Sequence, residues 1–245
     1  MQTSHDSEPP NDRARSGAFP ASQPESFSSP ESISRNDWDA FRAVDYMENH
    51  WSRGAWSADQ ETYFWYLTFS DEELAEKTEQ IQTGLDIGGL DFVPLDGLHI
   101  TVLKIGNRDG VTAEEIQAIA DSAKKKFDEL EPFQLEVGPL AGSRGAVRFS
   151  VSPWSELVEL HRIARAATLE VLPDLEIADT AAFRPHLGIG YSNRHQPAEP
   201  LISKISKLRD SSPVRVYVDS VRIVRLRREE HAYRWDDVAT IELGV

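Results

Sequence analysis

Two short apolar runs, each enclosing one histidine, constrain this chain more than any other feature of its 245 residues. They are Leu98-His99-Ile100-Thr101-Val102-Leu103 and Phe183-Arg184-Pro185-His186-Leu187-Gly188-Ile189-Gly190-Tyr191. Both are β-prone, and side chains two apart in a strand share a face. Strict alternation puts His99, Thr101, Leu103 and Ile105 on one side of the first strand and Ile100, Val102 and Lys104 on the other. In the second, Arg184, His186, Gly188 and Gly190 share a face, with Leu187, Ile189 and Tyr191 behind them. Each strand therefore offers one imidazole to a common surface. Two imidazoles facing each other across a cleft can act as general base and general acid on one phosphodiester, because histidine titrates near neutral pH.

The rest of the chain reads as strands alternating with helices, an α+β pattern. Residues 1–35 are rich in Ser, Pro, Asn and charge, bury too little apolar area to offset chain entropy, and are expected to form a disordered tail. The fold then starts at residue 36 and runs as a single domain to residue 245. Trp38 to His50 has helical apolar spacing, with Asn36 or Asp37 as its cap. Tyr63 to Phe69 reads as a strand buried on both faces. A helix follows from the capping-box pattern at Ser70 to Thr83, then a loop over Gly88 to Gly97, then the His99 strand and an amphipathic helix from Ala113 to Leu130. Phe133 to Val137 and Ala146 to Val151 are strands joined by a turn over Gly138 to Gly145. A helix opened by Ser152-Pro153-Trp154-Ser155 and running to about Leu172, the His186 strand, a helix from Pro197 to Leu208, and strands over Val214 to Leu226 and Tyr233 to Leu243 complete the chain. Each histidine strand follows a polar loop and precedes a helix, a weak internal repeat that suggests two similar lobes about an approximate two-fold axis.

Composition narrows the chemistry. The sequence has no cysteine, which removes disulfides, thiolate nucleophiles and zinc-thiolate sites. A formal net charge of −15 opposes the phosphate contacts that hold proteins on long nucleic acid, so a small substrate or the end of an RNA fits better than duplex DNA. No stretch approaches a membrane span and no apolar signal core opens the chain. The expectation is a soluble, cytoplasmic monomer with no cofactor and no metal.

The two histidine runs, with the flanks His50-Trp51-Ser52-Arg53-Gly54-Ala55-Trp56, Tyr63 to Phe69, Pro94-Leu95-Asp96-Gly97-Leu98-His99 and Phe183 to Asn193, resemble the 2H phosphoesterases, the superfamily of 2′-5′ RNA ligases and cyclic nucleotide phosphodiesterases. The resemblance covers residues 37–245. It implies a bilobal fold with two pseudo-symmetric lobes of antiparallel sheet, helices outside and a central cleft. It also implies metal-free opening of a 2′,3′-cyclic phosphate, or its reverse, with His186 as base and His99 as acid. A hydroxyl two residues after each histidine would grip phosphate. Thr101 supplies the first; Gly188 stands where the second is expected, so the Gly188 amide, a water or Arg184 would have to take its place. The alternative from a different class is a nucleotide- or RNA-end-binding module that keeps the cleft without turnover.

Other residues carry weaker readings. Trp51 and Trp56 either stack a base or pack the first helix onto a sheet. Lys104 and Tyr191 fall on faces away from their histidines and are assigned to packing or surface. His161 sits within a helix, and His5, His50, His195 and His231 lie in the tail or loops, none with metal-ligand spacing. Arg222, Arg225, Arg227 and Arg228 form either a guide for an RNA end or a strand edge guarded by charge.

Overall fold

The computed structural model describes residues 19–52, 56–57 and 59–244. In chain order its first half contains α1 (Pro30–Arg42), β1 (Tyr46–Met47), β2 (Glu61–Thr68), α2 (Glu72–Gly84), β3 (Leu90–Phe92), β4 (His99–Asn107), α3 (Ala113–Phe127), β5 (Phe133–Ser143) and β6 (Ala146–Ser152). The second half contains α4 (Trp154–Val171), β7 (His186–Ser192), β8 (Gln196–Pro197), α5 (Glu199–Leu208), β9 (Val214–Val218), β10 (Ser220–Glu229) and β11 (Ala232–Glu242). One sheet has the order β11-β10-β2-β4 and the other β3-β7-β6-β5-β9, with every neighbour antiparallel; β1 and β8 form a short separate ladder. Each large sheet holds one histidine strand, which is the two-lobed α+β arrangement expected.

The helices bury one face of each sheet. Trp65 on β2 donates its indole N–H to Thr168 of α4 (3.0 Å) and packs its ring against Phe127 of α3. Gln82 of α2 donates to the carbonyls of Val93 and Ile189, tying that helix to the end of β3 and the middle of β7. Helix α3 begins with a full capping box, in which Thr112 and Glu115 satisfy each other's backbone N–H groups. Helix α2 is capped by Asp71, one residue later than the Ser70 expected from the sequence.

Besides the first helix, expected to reach His50 but ending at Arg42 ahead of β1, three stretches depart from the sequence reading. Of the segment expected to be disordered, residues 1–18 lie outside the described residues, but residues 19–35 pack on the fold. Helix α1 starts at Pro30, with the Ser29 hydroxyl accepting from Ser32 N–H. A Ser cap followed by Pro and Glu is a helix-start signature that the Ser- and Pro-rich composition masked. Asp37 therefore lies inside the helix, not at its cap, on a buried stripe with Ile33 and Phe41. Second, the single strand expected over Val214 to Leu226 breaks at Asp219: β9 pairs with β5 and β10 with β2, so the chain crosses from one lobe to the other there. Third, the loop before His99 contributes β3, and β5 runs on through the expected turn to Ser143, because both find partners in the second sheet. Among the described residues no helix is long and apolar enough to cross a membrane.

Candidate active site

His99 opens β4, the edge of the first sheet. Thr101 pairs with Tyr66 and Leu103 with Trp65, so Val102 is an extra residue bulged into β4, and Ile105 is a second one further along, between the pairs Lys104–Phe64 and Gly106–Tyr63. A bulge reverses the alternation beyond it. Leu103, expected beside His99, instead enters the core with Trp65, and Lys104, expected on the opposite face, is exposed on the side of Thr101. The His99 ring is 7% exposed, stacks on Tyr66 at 4.3 Å and meets Trp235 edge-on at 5.3 Å. Its Nδ1 lies 2.8 Å from the Gly97 carbonyl. A carbonyl only accepts, so Nδ1 carries the hydrogen and Nε2 is left as the free position of the neutral ring.

His186 opens β7 with the same device. Its Nδ1 donates to the carbonyl of Arg184, two residues back, at 2.8 Å. Its ladder partner is Ser150, and the partner of Gly188 is Arg148. The next pair is Gly190 with Val147, so Ile189 is an extra residue in β7. That bulge turns Tyr191, expected behind the strand, onto the face of His186 and Gly188. A cavity of about 210 Å³ brings together His99, Thr101, His186, Gly188 and Tyr191. His50, Trp56, Phe64, Tyr66 and Tyr233 form its aromatic wall.

Arg184 does not reach this cavity. The ladder starts after Pro185, and the Arg184 guanidinium turns to the N-terminal segment, donating to the carbonyls of Pro20 (3.0 Å), Ala21 (3.4 Å) and Ala181 (2.7 Å). It clamps residues 20–21 onto the fold. Alternation had placed it beside His186, but a residue before the first rung is not held to the strand's facing.

Beside His186, on the same face of its sheet, lies a buried ionic network that the sequence did not reveal. Arg148, 1% exposed, donates to Asp37 of α1, 0% exposed, at 2.9 Å, and the Ser150 hydroxyl donates to the second carboxylate oxygen at 2.6 Å. Directly opposed residues of a ladder share a face. Helix α1 therefore packs on the face that carries His186, through the ladder partners of His186 and Gly188.

Burial holds both catalytic candidates neutral at pH 7. The ordinary imidazole value of 6.5 falls to about 4 at His99, where desolvation outweighs the Gly97 hydrogen bond. At His186 it falls to about 3, through desolvation first and then the Arg148 guanidinium. Burial raises the hydroxyls of Tyr66 and Tyr191 well above the usual phenol range, so both remain protonated donors.

The remaining candidates divide cleanly. Trp51 is a packing residue: its indole N–H donates to Asp91 (2.8 Å), His231 stacks on it and Arg228 lies over its ring. Trp56 lines the cavity. Arg222 is paired with Asp237, Arg225 with Glu61 and Asp236, Arg227 with Glu229 and Asp236, and Arg228 donates to the carbonyls of Trp51 and Glu230. Carboxylates thus compensate the charges of Arg222, Arg225 and Arg227, while Arg228 is held by backbone carbonyls. His161 is buried against Phe183 and Thr180, outside the cavity, and His195 stacks on Tyr46. His5 lies outside the described residues. Among the described residues no three His, Asp or Glu side chains are grouped so as to hold a metal ion. His50, expected only as a loop residue, bonds through Nε2 to the Tyr233 hydroxyl (3.0 Å) and stacks on Tyr191. Its contribution, like that of Phe64 and Tyr233, depends on loop and lobe placement that no local pattern announces.

Residues 70–230 match the family described as the 2′-5′ RNA ligase superfamily. No curated protein sequence matches the chain. Solved structures share the fold at low identity. TT0787 of Thermus thermophilus is 17% identical with a TM-score of 0.59, covering 75% of this chain and 98% of its own. E. coli LigT complexed with 3′-AMP is 15% identical with a TM-score of 0.56 and the same coverage of 75% and 98%. A structure described as a phosphoesterase is 16% identical with a TM-score of 0.55, covering 76% of this chain and 99% of its own.

Proposed function

The chain belongs to the 2′-5′ RNA ligase superfamily, and from that premise we propose that it is a metal-independent phosphoesterase. Its substrate would be a nucleotide or RNA end bearing a 2′,3′-cyclic phosphate, or a 2′-5′ linkage made and broken at such an end. The observation that carries this reading is the matched tautomers: each Nδ1–H is held by a backbone carbonyl two residues back, and both rings line one cavity with Nε2 as the remaining nitrogen. The complexes of E. coli LigT with 3′-AMP, NADP+, ATP and phosphate support a nucleotide phosphate as the class of ligand.

In ring opening, neutral His186 takes a proton at Nε2 from water as the water oxygen bonds to phosphorus. Protonated His99 gives its Nε2 proton to the ribose oxygen as that P–O bond breaks. In ligation a 5′-hydroxyl replaces the water. The Arg148 charge favours the neutral form of His186, which supports it as the base. The Thr101 hydroxyl, two residues after His99 and in the same cavity, would donate to a non-bridging oxygen. Measuring affinity and turnover separately on one 2′,3′-cyclic nucleotide tests the proposal. Tight binding with no product would favour the binding-module alternative.

Two further results are expected. The free enzyme must carry one imidazolium and one neutral imidazole, and that state is lost as pH rises through about 4, the value to which His99 is depressed. So kcat/KM should peak on the acid side of 6.5 and fall toward pH 7, while a bound phosphate anion, by favouring imidazolium, moves the kcat optimum upward. A kcat/KM optimum above pH 7 would contradict the assignment. Excess EDTA should leave the rate unchanged, since the proton transfers need only the two rings. Loss on chelation with recovery on added zinc or manganese would reject the mechanism.

A further inference from the structure

We infer that the Tyr191 hydroxyl supplies the phosphate contact that Gly188 lacks, so that the second half of the site draws its hydroxyl from three residues further along β7. This rests on the phosphoesterase reading above and adds a phosphate-binding residue to it. Three independent features place Tyr191 there. The bulge at Ile189 turns its side chain onto the face of His186 and Gly188. A Cβ built on Gly188 would lie 3.7 Å from the Tyr191 hydroxyl oxygen, so the phenol ends in the space beside the missing side chain. And Tyr191 lines the same cavity as His99, Thr101 and His186.

The ring is held rather than free to swing. It stacks on His50 at 4.1 Å and meets Trp51 and Tyr233 edge-on at 5.2 and 5.6 Å. The Tyr233 hydroxyl is engaged by His50, whereas that of Tyr191 makes no hydrogen bond to any described residue. Burial keeps it protonated, so it is an O–H donor that ends beside Gly188 in the cavity that His186 lines. Thr101 on β4 and Tyr191 on β7 then offer one hydroxyl from each lobe. The side-chain space at Gly188 is open to ordinary contact, so a serine there fits with Tyr191 in place.

The test is a pair of variants. Tyr191→Phe keeps the ring contacts and removes the donor; kcat/KM on a 2′,3′-cyclic nucleotide should fall about 10- to 150-fold, the worth of one hydrogen bond to a charged group. Adding Gly188→Ser to Tyr191→Phe puts a hydroxyl next to the vacated position and should restore most of that loss. It should restore none in His186→Ala. A Tyr191→Phe enzyme within twofold of wild type, or a folded double variant with no recovery, overturns the inference. If the wild-type protein turns over no cyclic nucleotide, the phosphoesterase reading fails by itself, and the inference is then read from inorganic phosphate titrated by ³¹P NMR. Weaker binding in Tyr191→Phe, regained with Gly188→Ser, sustains it; equal affinity in both, or no binding by wild type, overturns it.

Discussion

His99→Ala and His186→Ala are each expected to lower turnover of a 2′,3′-cyclic nucleotide by about 10²- to 10⁴-fold, the usual contribution of one general acid or base. Both side chains line the cavity, and each uses its own Nδ1–H locally, so neither ring can substitute for the other. The double variant should be much less than additively impaired, because once one proton transfer is lost the second ring has little left to contribute. Circular dichroism and a urea midpoint would establish that each variant is folded. A folded single variant with full activity would remove the two-imidazole mechanism.

The largest effect on stability is expected at Asp37. Asp37→Ala leaves the Arg148 guanidinium buried and unpaired, and strips Ser150 of its acceptor. Removing one partner of a buried pair costs about 3–5 kcal/mol, whereas replacing both with apolar groups of similar size is often neutral. Asp37→Leu with Arg148→Met should therefore be far more stable than Asp37→Ala alone, read as the free energy of unfolding in urea at unchanged slope. Arg148→Met also removes a positive charge that holds His186 low, so in the double variant the His186 titration should move upward, measurable by NMR. An Asp37→Ala protein within about 1 kcal/mol of wild type would mean the pair is not sequestered from water.

The primary structure by itself determined the two histidine strands, the α+β class, most helices and the choice of His99 and His186 as candidates, because these are local signals. Apolar runs of β-prone residues, capping patterns and 3.6-residue spacing act within a few positions. Thr101 beside His99 follows from the same alternation, since no bulge separates them. What lay one bulge further along was not legible. Val102 and Ile189 are ordinary strand residues, and only pairing with β2 and β6 made each an extra residue in its strand. That reversal sent Leu103 to the core and brought Tyr191 into the site. The placement of Arg184 was likewise decided by tertiary structure, through carbonyls more than 160 positions away at Pro20 and Ala21. Asp37 is the sharpest case. In sequence it is one more polar residue near a helix start, and it becomes a buried anion only because α1 folds onto the sheet face where Arg148 and Ser150 stand opposite Gly188 and His186. Local pattern fixes which face of an element is apolar; which polar groups are drawn from water depends on what packs against that face.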